Sequence, residues 1–207
     1  MKYYLSSYNF GNEFDTLITF LKASGAPCGY IDNSVDFQGA DPERREIKAQ
    51  EQMGILEAHG IKTVRLDLRD YFETPEKLVD VLQTLGGLWV RGGNVFVLRQ
   101  AMLLSGLDRL LAQETRTSFV YAGYSAGVCV LAPTLRPIAL VDDANTFPYP
   151  QIKEQTWDGL GLLPYLILPH HRSDHPESEA IERSVAYCKE HDIPFKTLRD
   201  GEVLLLN

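Results

Sequence analysis

The chain is short of the features that mark several large classes of protein. Its three cysteines, Cys28, Cys129 and Cys188, are scattered, odd in number and form no C-x-x-C pair. That predicts unpaired thiols in a reducing compartment rather than a disulfide framework. Positive charge is also scarce, with 20 Lys and Arg against 28 Asp and Glu and a formal net charge of -8. Such a balance argues against nucleic acid or an anionic membrane surface as a partner. No apolar run is long enough to span a bilayer. Met1 to Leu5 runs straight into an apolar strand, without the longer apolar region and cleavage site of a signal peptide. A cytoplasmic protein without membrane association is expected. Internal repeats and low-complexity tracts are missing as well.

What is present is ordinary for a soluble domain: 44% hydrophobic and 23% charged residues in 207. That length is most simply one domain, residues 1–207, with a proper core. Short apolar strands alternate with amphipathic helices. Strands are expected at 3–6, 26–31, 63–66, 87–90 and 119–122. Helices are expected at 12–23, from Asp41-Pro42-Glu43 to His59-Gly60, from Thr74-Pro75-Glu76 onward, from Val95, and over 107–113. The alternation predicts an α/β fold in three layers, a mainly parallel sheet with helices on both faces. Residues 133–155 hold four prolines without a clear period and read as a long loop. A strand at 165–168 and a helix from Pro176 to Glu190 follow. Finally, 195–198 and 203–206 flank Asp200-Gly201, the signature of a β-hairpin.

The central stretch is Ser118 to Ala132. Gly123-Tyr124-Ser125-Ala126-Gly127 is a G-x-S-x-G pattern with a strand before it and a small, apolar, helix-prone segment (125–132) after it. That context suits a nucleophile elbow, where a sharp turn holds the serine clear of the sheet. The Ala126 amide would then face an oxyanion formed above Ser125, and Gly92 or Gly93 at the end of the 87–90 strand would supply a second N–H. The bland alternative is a tight βα turn. A base is needed, and of five histidines, His59 and His191 sit at predicted helix ends as surface caps. His170, after Leu168-Pro169, is better placed than His171 or His175. The run His170 to His175 also resembles a metal site, but Pro169 and Pro176 bracket it, so the metal reading is the weaker one. Asp142, Asp143, Asp158 and Asp200 are candidates for the acid that would orient the base, each equally at home in a solvated turn.

Three motifs in order carry a family resemblance. They are Gly92-Gly93-Asn94-Val95-Phe96, Gly123 to Gly127, and Trp157-Asp158-Gly159-Leu160-Gly161-Leu162 leading to Leu168-Pro169-His170. Together they resemble the aspartyl dipeptidase (peptidase E) group of the S51 serine peptidases, a family that includes cyanophycinases. The resemblance implies a class I glutamine amidotransferase-like fold and a serine-type dipeptidase or exopeptidase acting on a small peptide, with N-terminal aspartate the expected preference. It implies Ser125 as nucleophile, His170 as base and Asp142 or Asp200 as acid. Gly92, Gly93, Asn94, Ala126 and Arg172 would serve the oxyanion and substrate, with no metal or organic cofactor and a homodimer possible. Val95 stands where the motif usually has threonine. Glu179-Ala180 falls near where aspartyl dipeptidases offer an arginine, leaving Arg172, Arg136 or Arg91 to meet an acidic side chain. The alternatives are a cyanophycinase-like peptidase and a non-catalytic sensor or partner-binding member of the fold. Glutamine amidotransfer is disfavoured, because it needs a thiolate at the elbow and the nearest cysteine is Cys129.

Overall fold

The computed structural model describes residues 1–37 and 41–207. A six-stranded sheet forms from β1 (Lys2–Ser6), β2 (Cys28–Ile31), β3 (Thr63–Arg65), β4 (Gly87–Val90), β5 (Val120–Tyr124) and β8 (Val203–Leu206). Its order is β3-β2-β4-β5-β1-β8, and every neighbouring pair is parallel except β1 with β8. Residues alternate between its two faces. Leu5, Ile31, Leu88, Val90 and Tyr121 enter one core, whereas Tyr4, Tyr30, Trp89, Ala122 and Tyr124 enter another. Strands buried on both faces are what an α/β sheet requires.

The second core is covered by α1 (Phe14–Ser24) and α2 (Pro42–Ala58). Leu17, Ile18 and Leu21 form the buried stripe of α1, and Gly25, at φ 69°, closes it. Asp41 caps α2 by accepting from the Glu43 and Arg44 amides, and Pro42 occupies the first turn. On the other face lie α3 (Pro75–Thr84), α4 (Val95–Ser105), α5 (Leu107–Ala112), α6 (Ala126–Cys129) and α7 (Ser178–Glu190). Asn94 caps α4 through the Phe96 and Val97 amides at 2.9 and 3.1 Å. The three-layer expectation is met.

Two local expectations are corrected. The segments around Asp200-Gly201 are not a hairpin. β7 (Phe195–Thr197) pairs in parallel with β6 (Leu166–Leu168) in a separate two-stranded sheet, while β8 closes the edge of the main sheet against β1. A type I′ turn needs positive φ at both central residues; Gly201 has φ 94°, but Asp200 is not in that region. The β1 edge offers β8 four partners, Tyr3 to Ser6, which a hairpin with the three-residue β7 would forgo. The helix after Ser125 is also shorter than expected, ending at Cys129 rather than Ala132. Within the long loop, 136–140 form a 3-10 turn packed on α7. No helix among the described residues is long and apolar enough to cross a membrane.

Candidate active site

Ser125 occupies the corner between β5 and α6 at φ 49°, ψ -118°, a conformation rare for a residue with a Cβ. Such backbone strain costs roughly 1–3 kcal/mol and persists only where the surroundings impose it. One wall is Gly92, just beyond β4. A Cβ on Gly92 would lie 2.9 Å from the Ser125 Cβ and 2.9 Å from the Tyr124 ring. Gly93 has φ 150°, and a Cβ there would meet the Ser34 carbonyl oxygen at 2.6 Å. Only glycine fits either position, so the β4 turn lies against the serine with bare backbone.

The histidine reaches this corner through β1. Ser6 is in register with Tyr124, so Ser7 follows beside Ser125 at the carboxyl end of the sheet. Ser7 is fully buried and its hydroxyl makes two short contacts. It accepts from the His170 backbone N–H at 2.8 Å and donates to Oδ1 of Asp200 at 2.9 Å. His170, 1% exposed and at φ 58°, donates from Nδ1 to the same Oδ1 at 2.7 Å. The Asp200 amide in turn donates to Ser173 Oγ at 2.8 Å. This arrangement fixes the tautomer: the proton sits on Nδ1, and Nε2 keeps its lone pair. Burial pushes the imidazole below its ordinary pKa, and the hydrogen bond to Asp200 partly restores it. A neutral ring with an orienting carboxylate is the state a general base needs. The Tyr8 ring spans the gap, 5.9 Å from His170 and 6.2 Å from Tyr124. Among the described residues, Ser125 Oγ makes no hydrogen bond to His170.

The other expected residues lie as follows. Asp142 accepts from the Val95 amide at 2.7 Å, at the start of α4, while His170 Nδ1 is taken by Asp200. Burial, with the nearby Glu177 charge, pushes the Asp142 carboxyl up to about 7, although the Val95 hydrogen bond opposes this. The Asn94 side chain is occupied in capping α4 and donates to the Asp143 carbonyl at 2.9 Å. Arg172 is exposed, with Nε 3.6 Å from a Glu182 carboxylate. Arg136 lies over the Trp157 ring. Arg91 lines a cavity of about 580 Å³ with Tyr8, Gln52, Gly92, Gly93 and Tyr124, and its buried Nη1 has no hydrogen-bond partner among the described residues. His59 and His191 are exposed and bond to carbonyls one turn back in their own helices, as expected of caps.

Three contributors escaped the sequence reading. Ser7 and Ser173 carry no motif, and only the tendency of ligand sites to lie beyond strand ends points to Ser7. Glu177, 3.8 Å from His170 Nε2, is one acidic residue among 28.

A mainly parallel sheet between helix layers, with a strained serine at a strand–helix corner and a buried histidine bonded to a partly exposed aspartate beside it, defines a class I glutamine amidotransferase-like architecture. A model of peptidase family S51 matches residues 44–207, and the chain belongs to that family. Peptidase E of Streptomyces coelicolor is 31% identical over 144 residues, 67% of this chain and 56% of that protein. An uncharacterized peptidase of Listeria innocua is 30% identical over 57% of this chain and 54% of its own length. The chain thus spans little more than half of these curated relatives. The fold also matches a crystal structure of a candidate peptidase E from Listeria monocytogenes EGD-e, with TM-score 0.74 and 21% identity over all of this chain and 98% of that one.

Proposed function

We propose that the protein is a serine peptidase acting on short peptides, with Ser125 as nucleophile, His170 as general base and Asp200 as orienting acid. The observation that carries this reading is the 2.7 Å bond from His170 Nδ1 to Asp200, set beside a serine in a strained strand–helix corner. Family membership supports peptide substrates. His170 Nε2 takes the Ser125 proton as Oγ attacks the scissile carbonyl. The Ala126 amide and a Gly92 or Gly93 amide meet the developing oxyanion. The imidazolium then gives its proton to the leaving amine, and water hydrolyses the acyl-enzyme by the same route reversed. The Ser125–His170 hydrogen bond forms when substrate fills the cleft, as is common for catalytic contacts that are loose in the free enzyme.

The cavity beside the corner receives the acyl side of the substrate. Arg44, Arg45 and Lys48 also line it, but Arg45 is paired with Asp32 and Asp36 and Lys48 with Glu51. Arg91, with a buried Nη1 that has no hydrogen-bond partner among the described residues, is the cation we assign to an acidic side chain. Arg172, held outward toward Glu182, is not needed for that role. The preference for an N-terminal aspartate follows from this assignment, and the protein acts without a cofactor. Ser125→Ala should abolish turnover on a dipeptide panel and labelling by a fluorophosphonate, with the fold intact. Wild-type protein that resists the probe would instead favour a non-catalytic member of the family.

A further inference from the structure

Beside the proposed base, three potential metal donors converge that the hydrolytic mechanism does not use together. The rings of His170 and His175 stack in parallel, 3.7 Å between centroids and 7° apart. A Glu177 carboxylate oxygen lies 3.8 Å from His170 Nε2, and one donor atom from each residue falls within 4.8 Å of the others. The donors of a tetrahedral zinc ion lie roughly 3.3 Å apart, given bonds of about 2.0–2.2 Å. The cluster is therefore within about 1.5 Å of closing on such an ion. Two imidazoles and one carboxylate also form a donor set typical of zinc with an open fourth position. The outer contact matches too. A metal-bound histidine usually donates its second N–H to a carboxylate, and His170 already does so to Asp200 at 2.7 Å.

We propose that His170, His175 and Glu177 form an inhibitory site for a borderline transition-metal dication such as zinc. The ion would draw on the Nε2 lone pair that otherwise takes the serine proton, so occupancy and proton transfer exclude each other. Stacked rings hold their in-plane lone pairs in parallel planes that do not converge, so His175 must tilt for its donor to point at the ion. Its surroundings permit this. It is half-buried against the rings of His170 and Tyr8, the latter edge-on at 5.5 Å, and the only hydrogen bond its ring makes among the described residues is a 3.2 Å contact accepted at Nδ1 from the Glu177 amide. Magnesium, which prefers oxygen donors and an octahedral shell, fits none of this. Inhibition, as distinct from binding, rests on the hydrolase reading above.

The test starts with protein freed of metal by chelator. Calorimetry with zinc chloride uses Ser125→Ala, so that binding is measured without turnover. The absorption of added Co²⁺ reports its geometry, and peptide hydrolysis by wild-type protein is followed in parallel. One zinc should bind per chain, Co²⁺ should show tetrahedral bands, and zinc should inhibit reversibly where magnesium does not. His175→Ala and the near-isosteric Glu177→Gln should each weaken zinc binding by at least about tenfold. The same two substitutions should relieve inhibition relative to each variant's own metal-free rate. Absence of binding, or binding that both variants leave unchanged, overturns the proposal. Zinc binding without turnover in any preparation would count against the hydrolase alone.

Discussion

The choice of acid is the most exposed part of the mechanism, and Asp200→Asn tests it directly. Asp200 receives two donors on one oxygen: His170 Nδ1–H at 2.7 Å and Ser7 Oγ–H at 2.9 Å. An asparagine can therefore turn its carbonyl oxygen to both and its NH₂ toward the side that is 23% exposed. The histidine keeps its tautomer and loses only the charge of its partner. A hydrogen bond to a charged group contributes about 1.5–3 kcal/mol and a neutral one about 0.5–1.5. The imidazolium thus loses about 1–2 kcal/mol, a fall of roughly fivefold to thirtyfold in turnover. Asp200→Ala strips both donors of their acceptor and should cost about four powers of ten. The pH profile gives an independent check. A carboxylate at Nδ1 raises the imidazole pKa, so Asp200→Asn should move the acid limb of kcat/KM to lower pH. The assay is kcat/KM against pH on a cleaved dipeptide, with nitrogen NMR titration of His170 alongside. If Asp200→Asn has full activity and an unmoved limb, and Asp142→Asn instead shows the loss, the acid is wrongly chosen.

Two further outcomes are expected. Asp142, buried on the Val95 amide with its carboxyl pushed up to about 7, favours the protonated form in the fold. Its contribution is fully present below about pH 4 and lost as pH rises through about 7, so Asp142→Asn should stabilise the fold at pH 8 by at most about a few kcal/mol, seen as a higher Tm in thermal melts, and have no such effect at acid pH. Ser7→Ala leaves the buried His170 backbone N–H without its acceptor and loosens the base, so kcat should fall about tenfold with little change in KM; it also leaves the Asp200 oxygen to His170 alone, so the acid limb should shift to higher pH, and an unchanged profile would make Ser7 merely structural.

Much of the architecture could be read from short stretches of chain. Leu17, Ile18 and Leu21 repeat at helical spacing, and Gly25 closes their helix. Asp41-Pro42 and Asn94 announce helix starts through their own side chains and ring. These signals act within a few residues, because capping and amphipathic burial are local interactions. The Asp200-Gly201 reading failed for the complementary reason. Turn preference is local, but the pairing of β7 and β8 was decided by which strand edges stood open, β6 for one and β1 for the other.

The amino-acid order by itself determined the alternation of strands and helices and the corner that carries Ser125. Glycines on both sides and flanking apolar runs leave the chain little else to do there. It left the partner of His170 open among several aspartates. That choice belonged to tertiary structure, since Ser7 meets His170 across 163 residues and His170 meets Asp200 across 30. A hydroxyl at the end of β1 joins a loop after β6 to a turn after β7. Such a meeting depends on how two separate sheets pack, which no local periodicity encodes.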